Sequence, residues 1–305
     1  MRPHNMALAD HLEAIAYYEE LYEIENFEYR STAYLAAASL FRRVSYDVLT
    51  EFEARQFKGV GAKISKRVQQ FALTGTSRKL EKLRQEDPVR DATVTDLIRN
   101  KEISIVRANE LYEAGARNLA NIADYVDMLS PSQVLYVANF ERFSEVIPRD
   151  EIIAFTTRVQ ELLEPLAMRV ITVGAYRRGE PATEIDLLVV HSSETDLKIV
   201  SVLRRLTPLI IDTLSSPEAT DSFRGMNRKN RVVNIRLFKE AAYPCCLTHM
   251  TGSIPFVTNL RLDAEEIGLH LNEYRLNDSV PIALVGELDL FRALDRDYVR
   301  PTLRM

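Results

Sequence analysis

Glu184 and Asp186 stand one residue apart at the start of a run of strand formers, Leu187-Leu188-Val189-Val190. Residues i and i+2 of a strand point to the same face, so both carboxylates can converge on one divalent cation. Ahead of them lies Val173-Gly174-Ala175-Tyr176-Arg177-Arg178-Gly179, read as a strand end and a glycine turn able to hold phosphate. Transfer of a nucleotidyl group needs metal ions between the attacking and leaving oxygens. A carboxylate pair beside a phosphate turn is a layout that could do this. In Val232-Val233-Asn234-Ile235-Arg236-Leu237, residues Val233, Ile235 and Leu237 share one face and leave Asn234 and Arg236 on the other. Asn234 therefore takes the kind of position a third metal-binding carboxylate would occupy.

The elements that must carry these residues change character along the chain. The first half reads as helical: Ala33 to Leu40 is alanine-rich, Tyr46 to Phe57 is amphipathic, and Lys63 to Leu73 resumes after Gly59-Val60-Gly61. Such a glycine turn lets backbone N–H groups at a helix start approach a phosphate, the hairpin of a helix-hairpin-helix. A second helical stretch runs from Thr93 to Phe140. From Asp150 to Ala167 apolar residues recur at helical spacing. Val170 to Val173, Leu187 to Val190 and Val232 to Leu237 have strand composition, with a helix expected over Leu197 to Leu206. The fold class is α+β: a helical N-terminal half, a short sheet, and a small C-terminal α+β part.

Length and composition set outer bounds. At 305 residues, with 46% hydrophobic and 27% charged, the chain has the make-up of a globular protein and is long enough for two domains or one large multi-lobed one. No apolar run reaches the roughly 20 residues of a membrane span, and Met1-Arg2-Pro3-His4 lacks the apolar core of a secretory signal. Cys245 and Cys246 are adjacent and read as reduced strand residues of an intracellular protein, and the five histidines show no zinc-type spacing with them. The net charge of −5 argues against broad nonspecific binding to nucleic acid. From Arg55 to Arg84, however, nine basic residues face one acid, Glu81, a candidate surface for a nucleic-acid backbone.

The order of landmarks resembles the family X DNA polymerases, and the polymerase beta type most closely, over nearly the whole length. It rests on Phe57-Lys58-Gly59-Val60-Gly61-Ala62-Lys63-Ile64, on Arg78 to Gln85, on Gly174 to Gly179, on Asp212-Thr213-Leu214-Ser215, on Asn234 to Leu237, on Thr251-Gly252-Ser253 and on Asn272-Glu273-Tyr274. The resemblance implies a lyase-like helical domain over 1–83 and a second helix-hairpin-helix-like thumb or DNA-binding subdomain over 84–143. It implies a nucleotidyltransferase palm over 144–247 and a subdomain closing on the nucleotide over 248–305. It assigns Glu184, Asp186 and the degenerate Asn234 to catalysis, with the first two binding Mg2+ or Mn2+. Gly174, Ala175, Arg178, Gly252 and Ser253 correspond to nucleotide contacts. Tyr34, Gly59, Gly61, Lys63, Lys66, Arg67, Arg236 and Arg261 correspond to DNA contacts.

The departures from the family fall on its chemistry. Glu184 keeps a carboxylate in place of aspartate, but Asn234 puts a neutral amide where a hard anionic ligand is needed. Ala175 lacks the serine hydroxyl of the phosphate turn, and Val146 replaces an arginine ahead of Ile147-Pro148. His249-Met250, Ile254 and Val257 replace further contacts of the nucleotide pocket. Arg67 stands at the Schiff-base lysine of the lyase site, and a guanidinium cannot act as an amine nucleophile. Tyr29 replaces a base-stacking histidine, and Lys101-Glu102-Ile103 occupies the second glycine turn.

Three readings follow. The first is a catalytically impaired polymerase-like protein that binds gapped or nicked DNA, with RNA open as an alternative. The second is a scaffold subunit of a larger protein complex. The third is an active gap-filling DNA polymerase of base excision repair. No membrane partner is expected.

Overall fold

The computed structural model describes residues 3–98, 103–192, 197–214, 221–277 and 282–304. It divides into two compact units, Met1–Ser130 and Pro131–Met305.

The first unit is helical. α1 (Pro3–Leu21) packs along α2 (Phe27–Arg43), burying Leu8, Leu12 and Ile15 of one and Ala37, Ala38 and Phe41 of the other. Helix is expected from Tyr46, but it starts only at Glu51. The Asn5 side-chain amide donates to the carbonyls of Val44 and Tyr46 and accepts from the Val48 N–H, which holds this stretch extended. Thr50 then caps α3 (Glu51–Arg55) in a reciprocal capping box with Glu53. Gly59 and Gly61 follow, and α4 (Ala62–Thr74) begins with Gly61 as its N-cap. Gly59 has φ +88, open to glycine at no steric cost. Ser77 caps α5 (Arg78–Glu86), and α6 (Pro88–Ile98) and α7 (Ile105–Ala114) complete the unit with a 3₁₀ turn over Ile122–Met128. Lys101 and Glu102 of the second glycine-turn region lie outside the described residues, as does Ser215; Ile103 is buried.

The second unit holds a mixed sheet. α8 (Pro131–Ala138), α9 (Phe140–Ser144) and α10 (Arg149–Leu163) lead into β1 (Met168–Thr172), α11 (Gly174–Arg178), β2 (Glu184–His191) and α12 (Ile199–Leu206). β3 (Ile210–Thr213), β4 (Ser222–Asn227) and β5 (Val232–Lys239) follow, and the strand order is β1-β2-β5-β4-β3. The β2–β5 pair is parallel and the others antiparallel. Two expectations change. The phosphate turn is a short helix, α11, because Gly174 at φ +61 lets the chain turn directly from β1 into a helical stretch. β3 and β4 went unread: Ser222–Asn227 holds Arg224 and Gly225 among only two large apolar residues, so composition alone does not mark a strand.

The alternation of β2 and β5 decides which faces are covered. Ile185, Leu187, Val189, Val233, Ile235 and Leu237 form the core beneath α10 and α12. On the opposite face Leu188, Val190 and Phe238 are covered by α13 (Tyr243–Thr251). Glu184, Asp186 and Asn234 lie on that second face, at the ends of their strands left open by α13. Cys245 and Cys246 are free thiols buried in α13, on a helix rather than a strand, because Pro244 and the run to Thr251 place them on its inner side. Burial pushes the Cys245 thiol up to about 12. α14 (Ile254–Glu266) and α15 (Glu287–Ala293) follow, with strand structure limited among the described residues to a Leu271–Leu276 bridge.

Candidate functional site

Register brings the predicted trio together. Asp186 on β2 pairs with Asn234 on β5, and Glu184 precedes Asp186 by one same-face step. The Asn234 Nδ2 group donates to Glu184 Oε2 at 2.7 Å and to Asp186 Oδ1 at 2.8 Å. An amide nitrogen has two hydrogens, and both point at carboxylates. Orienting the amide the other way would set its oxygen against two carboxylate oxygens at the same distances. Its donor face is therefore fixed by electrostatics.

A fourth member was not foreseen. Arg224 on β4 is the register partner of Asn234, and its Nη2 donates to Glu184 Oε1 at 3.1 Å. Its guanidinium also lies 5.3 Å from the centre of the Tyr136 ring. Burial, with a further contribution from the Glu184 charge, pushes the Tyr136 hydroxyl up to about 12. No sequence pattern flagged Arg224, because β4 itself went unread. Gly174 forms the wall on the Asp186 side. A Cβ there would sit 2.0 Å from Asp186 Oδ2, so only a glycine allows this approach.

The donor set fits a hard divalent cation poorly. Mg2+ asks for six oxygen ligands at about 2.0–2.1 Å. Here one candidate ligand is an amide presenting N–H groups, and a guanidinium already occupies one carboxylate. Among the described residues no group of three or more His, Cys, Asp or Glu is placed to hold a metal ion.

The neighbouring nucleotide-contact candidates are tied into protein. Ala175 packs against the core on α11 and offers no hydroxyl. Arg178 donates to the Thr251 carbonyl at 2.6 Å and to Glu180. Gly252 lies so close that a Cβ would come 3.1 Å from Arg178 Nη1. Ser253 caps α14. The adjacent Arg177 joins a buried cluster: it donates to Glu287 at 2.7 and 3.1 Å, and Arg304 donates to the same carboxylate at 2.7 Å. Arg236 faces Asp221 at 3.6 Å and Glu273 at 3.9 Å, and Arg261 reaches Glu273 at 3.5 Å and His249 Nδ1 at 3.3 Å. Both arginines proposed as DNA contacts thus share one glutamate. A cavity of about 860 Å³ lies at the other ends of β2 and β5, against His191, Phe238 and Lys239, away from the carboxylates.

In the first unit, Tyr34, Gly59, Gly61, Lys63 and Arg67 line one cavity of about 630 Å³. Lys66 is exposed and does not line it. The cavity also holds a pair unmarked by sequence spacing: Lys79 Nζ lies 3.1 Å from the buried Glu19 carboxylate. Burial pushes the Tyr34 hydroxyl up, while Arg67 pulls it back. Of the nine basic residues from Arg55 to Arg84, all but Arg67 and Lys79 are exposed. Nothing lies within 4 Å of a Cβ built on Gly59 or Gly61, so this backbone is open to approach.

Residues 246–305 match the family model described as DNA polymerase beta thumb, which attaches that word to the C-terminal segment rather than to 84–143. Over 99% of its length the chain is 22% identical to DNA polymerase lambda of Rattus norvegicus. Together the two matches support a family X, polymerase beta-like protein. The match covers 56% of the rat protein, so the chain spans little more than half the length of that relative. The strand frame of the α+β fold brings Glu184, Asp186 and Asn234 together on one face of the sheet. Among the described residues no helix is long and apolar enough to cross a membrane.

Proposed function

We propose that this family X chain is a nucleic-acid-binding protein that engages gapped or nicked DNA and is impaired in nucleotidyl transfer. The observation that carries the reading is the Asn234 amide, which donates to both Glu184 and Asp186 where the chemistry requires anions facing a cation. The lyase position supports it, since Arg67 supplies a guanidinium where that chemistry needs an amine nucleophile. Binding is supported by the exposed basic run from Arg55 to Arg84 around an open glycine turn. In this reading 1–83 is the lyase-like part with its helix-hairpin-helix, 84–143 a second DNA-contacting part, 144–247 the palm, and 248–305 the closing part. In the same reading the chain acts in DNA repair.

The test is fluorescence anisotropy on 5′-phosphorylated gapped DNA across a salt series. Native protein should bind with a steep salt dependence. Lys63→Glu with Lys66→Glu should weaken binding by at least about ten-fold and flatten the slope of log K against log salt by about 2. Binding indifferent to that double change would overturn the reading. Single-nucleotide incorporation on the same substrate, with Mg2+ and then Mn2+, tests the catalytic half. Efficient extension by the native chain would restore the active polymerase reading.

A further inference from the structure

The open end of the sheet presents a row of side chains across three neighbouring strands: Asp186 on β2, Asn234 on β5 and Arg224 on β4. Glu184 completes it, receiving Asn234 on one oxygen and Arg224 on the other. Each contact is cross-strand, so the arrangement is set by backbone register rather than by a flexible loop. Arg224 is three-quarters buried, and the Tyr136 ring backs its guanidinium. On the far side, the Gly174 backbone closes on Asp186.

We propose that Arg224 is the built-in counter-cation of this site: with Asn234 it holds Glu184 and Asp186 in place without a divalent ion and keeps Mg2+ out. The inference deepens the impaired-transfer reading and rests on it. Two carboxylates this close repel one another, and one of them acquires a proton or a cation. In this chain a guanidinium supplies the positive charge and an amide supplies two hydrogen bonds. A cation entering between the carboxylates must break both Asn234 bonds and stand next to Arg224, a like charge in a site partly shielded from water. Restoring a carboxylate at residue 234 would therefore leave the site blocked by Arg224.

The experiment is a Mn2+ titration of the full chain without DNA, following the free-ion signal by electron paramagnetic resonance, with a thermal melt in EDTA and in excess Mn2+. Native protein should show no Mn2+ lost by Glu184→Gln at ion concentrations up to about 1 mM, the weak end of oxygen-ligand sites. EDTA should leave its melting temperature unchanged. Arg224→Gln should bind Mn2+ at least about ten-fold more tightly than native, the equivalent of one charge-assisted bond. One native Mn2+ that disappears in Glu184→Gln overturns the proposal, as does an Arg224→Gln variant that binds no better than native. Should Arg224→Gln fail to fold, the native titration decides alone. Since no DNA is present, failure here leaves the Lys63 and Lys66 binding test standing.

Discussion

Replacing Glu287 with alanine should destabilise the second unit more than any surface change. Its carboxylate is 6% exposed and accepts from Arg177 twice, from Arg304 and from Thr248 at 3.0 Å. The Arg304 side chain has no exposure at all, and its charge is met by this carboxylate, by the Val299 carbonyl and by the rings of Phe256, Phe291 and Tyr298. Removing one partner of a buried pair leaves the other uncompensated and costs about 3–5 kcal/mol. For a cooperative unit of this size that corresponds to a fall in melting temperature of roughly 6–20 °C. Differential scanning calorimetry at pH 7 reads it directly. Burial pushes the Glu287 carboxyl up, but Arg177 and Arg304 outweigh it and hold it below the usual range. Its contribution is therefore present above the ordinary carboxylate pKa and lost as pH falls through the depressed value. The difference between native and Glu287→Ala should shrink in acid. Changing Glu287, Arg304 and Arg177 together to methionine should recover most of the loss, since well-packed apolar replacements of a buried ionic cluster are often neutral. A Glu287→Ala penalty under about 1 kcal/mol at pH 7 would refute the argument.

Further outcomes follow from single residues. His11 is buried beside Phe71, with Nε2 3.0 Å from Ser77 Oγ, and burial together with Arg84 and Arg67 lowers its pKa to about 4. The unfolded chain takes up that proton near 6.5, so stability is complete above that pH and falls between 6.5 and 4 by at most about 3 kcal/mol. Denaturant melts from pH 7.5 to 4.5 should show the slope and His11→Gln should flatten it; an unchanged slope in the variant contradicts the assignment. Gly174→Ala combines a φ of +61 with a Cβ 2.0 Å from Asp186 Oδ2. It should cost at least about 2 kcal/mol, and a variant as stable as native in urea would mean the approach of α11 to β2 is looser than described.

Much of the site could be read before the fold. The spacing of Glu184 and Asp186 requires one shared face in a strand, and the alternation around Asn234 puts it on the face opposite Val233 and Ile235. The structure has all three in contact. Tyr34, Gly59, Gly61, Lys63 and Arg67 likewise meet at one cavity, though Lys66 turns outward. The stretch from Tyr46 looked amphipathic, yet Asn5, some forty residues away, takes its backbone groups and delays the helix to Glu51. The cysteines looked like strand residues because burial, not backbone state, is what their apolar neighbours report.

By itself the sequence determined the α+β class, the shared face of Glu184, Asp186 and Asn234 and the basic run, because these depend on residue type and on short-range periodicity. Tertiary structure decided which groups those residues answer to. Arg224 reaches Glu184 across forty positions, and Lys79 reaches Glu19 across sixty. Arg177 reaches Glu287 across 110 positions, and Arg304 meets it there from 17 positions away. Pairings of this kind are fixed by strand register and helix packing, which bring distant charges together where water no longer screens them. No spacing rule along the chain encodes them.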